Sequence, residues 1–182
     1  MDLRSLALRL AFVGGLGASA LGLPGAPAFS QQASLPNGAT SLAETYEDWK
    51  LSCALQNNQR ACMISQDQLQ QNGQRLLAVE IDANAGSTAN ATFLLPFGIL
   101  FAQGVTPQID EAKPLAPVAF RTCLPNGCIA TFAIDAATLK RLRAGTSLKL
   151  QVTTAAETPL SFTVSLKGLG AALDRLAGIR GS

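Results

Sequence analysis

Residues 49–68 read WKLSCALQNNQRACMISQDQ. Trp49, Leu51, Cys53 and Leu55 alternate with Lys50, Ser52 and Ala54, a period of two that marks a half-buried β-strand. A polar stretch, 56–60, then turns the chain, and 61–68 returns with Cys62, Ile64 and Gln66 on one face. The two cysteines therefore meet across a hairpin. Asn72-Gly73 is a strong turn signal, and a third strand over 75–82 places Leu77, Val79 and Ile81 on one side. Three antiparallel strands in succession set the class of the fold.

The same reading extends along the chain. Residues 84–90 are small and polar, a loop. The most apolar run past the N-terminus is 92–101, TFLLPFGILF. Proline removes a ladder donor, so Pro96 and Gly98 predict strand, bend, strand. A short strand is expected over 105–110 and a proline-containing connection over 113–117. Residues 118–123 and 128–135 form a second hairpin around Leu124-Pro125-Asn126-Gly127, whose Pro-Asn-Gly favours a tight turn, with Cys123 and Cys128 flanking it. Residues 136–144 have helix-forming side chains and stop at Gly145, a candidate C′ position. Residues 147–153 alternate again, and Leu160, Phe162, Val164 and Leu166 give the cleanest alternation in the chain. From Gly168 the period changes: Leu169, Ala172, Leu173, Leu176 and Ile179 follow helical spacing. The expected fold is mainly β, an antiparallel β-sandwich-like domain with a short mid-chain helix and a C-terminal helix.

The N-terminus reads as a targeting segment. Arg4 and Arg9 form a basic start, residues 10–23 are uncharged and rich in Leu, Ala and Gly, and Ala26-Pro27-Ala28 resembles a cleavage site. This order is that of a secretory signal peptide over 1–28. The apolar stretch falls short of the roughly 20 residues of a membrane span, and no later segment is long and apolar enough to be one. Residues 29–45 are small and polar and are expected to be a flexible leader with no core to bury, so the domain is expected over 46–180. Removing 1–28 takes away Arg4, Arg9 and Asp2 and leaves twelve basic against eleven acidic side chains, a net charge of +1. That balance carries no concentrated basic patch and excludes a nucleic-acid partner. Lys140, Arg141 and Arg143 read as the solvated face of the short helix.

An even cysteine count in an exported chain reads as disulfides. Of the connectivities open to Cys53, Cys62, Cys123 and Cys128, the local one, Cys53–Cys62 with Cys123–Cys128, follows from the hairpins. In the chain-entropy view each small loop contributes about 2–3 kcal/mol. A structural zinc site would need tighter spacing than that between Cys53 and Cys62, and there is no C-x-x-C redox motif. The expected localisation is the periplasm, or the cell surface after secretion.

Chemistry is hard to find. The chain has no histidine, which removes Ser-His-Asp and Cys-His mechanisms. Ser165 with Lys167, and Asp110 with Glu111, are the remaining candidates for Ser-Lys or carboxylate catalysis. The first pair falls on the expected solvent face of a strand and the second in a turn. Gly168 and Gly170 open a helix and lack the βαβ setting of a dinucleotide loop. No cofactor or metal is expected. Trp49 reads as a core anchor beside the first disulfide. The run 93–101 offers a candidate interaction surface at Phe93, Phe97 and Phe101, set against ordinary core packing. The outer face of the C-terminal helix carries Arg175 and Arg180. The reading favoured by these residues is a non-enzymatic binding module whose partner is a protein or a cell-envelope component. The alternative is a periplasmic enzyme.

Several of these segments, taken in order, resemble the invasion-associated locus B family. They are Asp48-Trp49 with Cys53 and Cys62; Leu95-Pro96-Phe97-Gly98-Ile99; Gly104-Val105 and Ile109-Asp110; Cys123 with Gly127-Cys128; and Ser165-Leu166-Lys167-Gly168-Leu169 with Ala172-Leu173. The resemblance covers roughly 46–178. Phe97 and Leu169 depart from the family's usual Leu and Phe, both apolar exchanges. The resemblance implies a periplasmic or surface-associated β-rich domain, linked in some pathogens to host-cell entry and without an established biochemical activity.

Overall fold

The computed structural model describes residues 34–83 and 88–181. The expected signal segment 1–28 and residues 29–33 lie outside the described residues. Ten strands and two helices follow in order: β1 (Ser41–Tyr46), β2 (Trp49–Gln56), β3 (Gln59–Leu69), β4 (Arg75–Ala83), β5 (Ala89–Leu95), β6 (Thr106–Ile109), β7 (Phe120–Leu124), β8 (Gly127–Ile134), α1 (Ala136–Ala144), β9 (Ser147–Thr153), β10 (Pro159–Ser165) and α2 (Leu169–Arg180). A seven-stranded sheet runs β1-β2-β3-β4-β5-β8-β7 and a three-stranded sheet runs β10-β9-β6. Every pairing between these strands is antiparallel. The fold is thus mainly β with two helices, as the alternation predicts.

The β2–β3 turn explains the register. Asn57 and Asn58 both have positive φ, at 49° and 60°, which a two-residue hairpin of the primed type requires and which asparagine tolerates. Cys53 then stands directly opposite Cys62. One face of the large sheet collects Trp49, Leu51, Ile64, Leu77, Val79, Ile81, Phe93 and Leu95, all buried. The small sheet adds Leu148, Leu150, Val152, Phe162 and Val164 to the same core, and α2 adds Leu169, Ala172, Leu173, Leu176 and Ile179. Helix α2 packs across β1 to β4.

Polar side chains join the two sheets. The Trp49 indole N–H donates to the Ser165 carbonyl at 2.9 Å. The Gln66 amide donates to the same carbonyl at 3.0 Å and accepts from the Ser165 N–H at 3.2 Å. Gln68 donates to the Thr163 carbonyl at 2.6 Å. β3 therefore meets β10 through glutamine side chains.

Several expectations are corrected. The stretch 29–45 is not wholly a loose leader: Leu35 is buried in the core, and β1 pairs along its full length with β2. The alternation of β1 is hard to see in the sequence because its covered positions are Leu42, Glu44 and Tyr46, with an acid in the middle. The second half of 92–101 is not a strand. After the bend at Gly98, where φ is +85°, only an isolated bridge from Ile99 to Thr154 remains. A 3-10 turn over Phe101–Gln103 comes next, closed by the Gly104 N–H on the Phe101 carbonyl. Residues 89 and 90 of the expected loop belong to β5; 84–87 lie outside the described residues. Gly145 ends α1 in an extended conformation, not the left-handed one. Glycine is favoured there by crowding, since an added Cβ would sit 2.9 Å from Asp110 Oδ2. The start of α1 is capped by Asp135, whose carboxylate accepts from the Thr138 N–H at 2.7 Å, as an N-cap should. β6 contains Pro107 and lies at a sheet edge, the position proline tolerates.

Among the described glycines, Gly168 leaves the least room for a side chain. Its φ is +84°, and an added Cβ would lie 1.9 Å from the Tyr46 carbonyl oxygen. Gly178, inside α2, has open space around the corresponding position. Gly168→Ala is expected to destabilise the domain by at least about 2 kcal/mol, combining left-handed strain with a backbone collision. Gly178→Ala is expected to stabilise it by about 0.5–1 kcal/mol. Urea denaturation of the two variants checks both signs.

Candidate functional site

The candidates for catalysis are already engaged. Ser165 Oγ accepts from the Lys167 backbone N–H at 3.3 Å, and the main chain of Ser165 forms the inter-sheet junction. Asp110 sits at φ +48°, just beyond β6. Its Oδ1 accepts from the Thr146 N–H at 3.0 Å, the Thr146 hydroxyl at 2.7 Å and the Ser147 N–H at 2.9 Å. These bonds, led by the Thr146 hydroxyl, hold its carboxyl below the usual range. Asp110 is thus a clasp between β6 and the α1–β9 connection, more than the solvated turn expected of it. Glu111 is exposed and pairs with Lys149 at 2.6 Å. Among the described residues, no three His, Cys, Asp or Glu side chains stand together as metal ligands would.

A second constellation has little signal in the sequence. Glu44 on β1 receives Arg175 of α2 at three contacts, 2.9, 2.9 and 3.2 Å, and the Tyr46 hydroxyl at 2.6 Å. The hydrogen bond from Arg175, then that from Tyr46, lowers the Glu44 pKa below its ordinary 4.5; the Arg175 and Tyr46 values both rise, chiefly through Glu44. The parity of Glu44 with the covered positions Leu42 and Tyr46 is the signal that the sequence offers. Elsewhere Arg143 pairs with Asp174, Arg75 with Asp67 and Arg180 with Asp82. Arg143, Arg175 and Arg180 of the two helices are thus paired with acids.

Three of the six large exposed apolar side chains among the described residues lie at one end of the large sheet. β3 ends there at Leu69, β5 ends before Pro96-Phe97, and β7 ends at Leu124. Leu69, Phe97 and Leu124 are 62%, 59% and 45% exposed. Between the turns lies a cleft of about 450 Å³ lined by Gln74, Arg75, Pro96, Phe97, Pro125 and Asn126. The sequence singles out only Phe97 of this group. Of its two companions, Phe93 is fully buried and stacks on Phe132 with ring centroids 6.1 Å apart. It belongs to the core, because it shares strand parity with Ala91 and Leu95. Phe101 is half-exposed and stacks on Phe120 at 4.9 Å. Leu69, Leu124 and the polar lining come from separate turns that only the strand order brings together.

The cysteine pairs stand at bonding distance. The sulfurs of Cys53 and Cys62 are 2.09 Å apart and those of Cys123 and Cys128 are 1.99 Å apart. Cys53, Cys62 and Cys128 are buried, whereas Cys123 is exposed.

The same strands and cysteine pairs fall within a known family. Residues 49–177 match the family described as Invasion associated locus B (IalB) protein. The chain belongs to that family. An Invasion protein B homolog of Brucella abortus (strain 2308) is 42% identical over 150 residues, covering 81% of this chain and 86% of the relative. Invasion protein B of Bartonella bacilliformis is 33% identical over 151 residues, 81% of each chain. The crystal structure of invasion associated protein B from Bartonella henselae matches with a TM-score of 0.73 at 34% identity, covering 77% of this chain and 97% of that one. The invasion-associated locus B resemblance read from the ordered motifs is therefore shown. No helix among the described residues is long and apolar enough to cross a membrane, which says nothing of strands.

Two outcomes are expected from this geometry. Because the folded-state pKa of Glu44 is depressed, its ion pair with Arg175 contributes stability that is present above the ordinary pKa of 4.5. That contribution is lost as pH falls through the lower folded value. Glu44→Gln should flatten the acid side of the stability–pH curve and leave the slope near neutrality unchanged, as urea titrations at stepped pH would record. Mild dithiol treatment should open Cys123–Cys128 before Cys53–Cys62, since thiolate attack needs an accessible sulfur. Alkylation followed by mass spectrometry reads the order, and simultaneous opening would contradict it.

Proposed function

We propose that this invasion-associated locus B protein is exported and acts as a non-enzymatic binding protein in the periplasm or at the cell surface. Its contact region is the turn end carrying Leu69, Phe97 and Leu124, and its partner is a protein or a cell-envelope component. The observation that carries this reading is a cleft lined by the largely exposed Phe97, at the end of the sheet where Leu69 and Leu124 are also exposed. Exposed apolar surface of this kind marks interaction sites, and here Leu69 and Leu124 close strands of the sheet while Phe97 follows one.

Further support comes from what the candidate reactive groups are doing. Ser165, Asp110 and Glu44 each serve a structural bond. Export is supported by the signal-like order of 1–28 and by the two cysteine pairs at bonding distance, which persist in oxidising compartments. The names of the Brucella and Bartonella relatives extend the reading to contact with a host cell.

The test compares the wild-type protein with the double variant Phe97→Ala/Leu124→Ser. Both positions are exposed, so the folding stability should change by no more than about 0.5 kcal/mol each. Binding to isolated envelope fractions and to host-cell membranes, measured by surface plasmon resonance, should fall at least about tenfold if these side chains anchor the contact. Undiminished binding by the variant would place the contact elsewhere.

A further inference from the structure

We propose that the turn-end cleft receives the free C-terminal carboxylate of an extended polypeptide, held by Arg75, with the last apolar side chain against Phe97. This deepens the binding reading above and rests on it, because it names the chemical group that the turn end takes.

Arg75 supplies the charge. Its Nε donates to Asp67 Oδ1 at 2.7 Å, while its two terminal nitrogens have no partner among the described residues and the side chain lines the cleft. A guanidinium in that state presents a fork matched to a carboxylate. Asp67 offsets part of its charge, so the cleft suits a singly charged carboxylate better than a phosphate, which would call for a second cation.

The other polar groups read a main chain. The side-chain amides of Gln74 and Asn126 have no hydrogen-bond partner among the described residues, and each offers both donors and an acceptor. A peptide unit needs that combination. A fatty-acid carboxylate would satisfy Arg75 but leave both amides facing an alkyl chain, and covering polar groups without partners is costly. Pro96, Phe97 and Pro125 supply the apolar walls. A volume of about 450 Å³ lies within the range of small-ligand sites, roughly 300–1,000 Å³. Capture of a chain terminus is an established way for domains to recognise peptides.

The experiment uses the purified 15N-labelled protein and two probes, N-acetyl-Ala-Ala-Leu-Phe with a free carboxylate and the same peptide as its C-terminal amide. The side-chain resonances of Gln74, Asn126 and Arg75 Nε are followed on titration, with decanoate as a third ligand. The free-acid peptide should shift all three, and the amide should bind at least about tenfold more weakly, a difference of about 1.4 kcal/mol. Arg75→Gln should reduce affinity for the free acid to that for the amide. Equal affinity for acid and amide would overturn the proposal, as would tighter binding of decanoate than of the peptide. The acid–amide comparison is made on the wild-type protein, so it stands even if Arg75→Gln folds poorly. Failure here with loss of envelope binding in Phe97→Ala/Leu124→Ser leaves the contact surface and removes the carboxylate site. Retained envelope binding in that variant removes the surface itself.

Discussion

The main chain of Ser165 is the point on which the two sheets depend. It lies at the end of β10, where the strand must meet the large sheet without joining its ladder. A buried peptide unit left unpaired there would cost about 1–3 kcal/mol. Trp49 and Gln66 together prevent that, since both donate to the Ser165 carbonyl and Gln66 also accepts from its N–H. Gln66 is the one buried polar side chain among the described residues. An apolar residue in its place would fill the space and leave Ser165 N–H orphaned, so the glutamine sets where β10 ends.

That placement also fixes the path of the chain beyond Ser165. Gly168 comes three residues later and lies against the Tyr46 carbonyl, a distance no side chain could share. Helix α2 then runs across β1 to β4 and brings Arg175 to Glu44. The first described strand and the last helix therefore define each other. β1 has its acidic side chain on the covered face because the arginine is there to meet it. The arginine is held in place by the apolar stripe from Leu169 to Ile179.

This interdependence explains which parts of the fold can be read from the chain and which cannot. The hairpins are legible because their information is local: period-two alternation, Asn-rich turns and cysteines at matching distances from a turn. α2 is legible from its period. β1 is not, because Glu44 spoils the alternation and its partner is 131 residues away. The sequence places Gln66 on the correct face, yet its role depends on Ser165, 99 residues on. The contact end shows the same division. Phe97 stands out because proline and glycine flank it, whereas Leu69 and Leu124 look like ordinary strand residues. Only the order β3-β4-β5-β8-β7 puts the ends of their strands at the same end of the sheet. Phe93 does not belong with Phe97, because a single apolar run is not a single surface: the bend at Pro96 to Gly98 turns Phe97 outward, while Phe93 before it and Ile99 after it are buried.

The direction of the pKa shifts bears on what such a scaffold is suited to do. A carboxyl group that works as a general acid at neutral pH has its pKa raised, as a rule by apolar burial or a neighbouring like charge. Here Glu44, Asp110 and Asp135 all move the other way, because hydrogen bonds from Arg175, Thr146 and Thr138 stabilise the charged form. Each carboxylate is thereby made a weaker base and is more fully ionised at neutral pH, with no proton to give, and each ties two elements together or caps a helix. At the turn end the side-chain amides of Gln74 and Asn126 and the terminal nitrogens of Arg75 line the cleft beside Phe97. These three carboxylates are thus held in the framework, whereas the donors beside Phe97 face the cleft, and that division is what the binding proposal draws on.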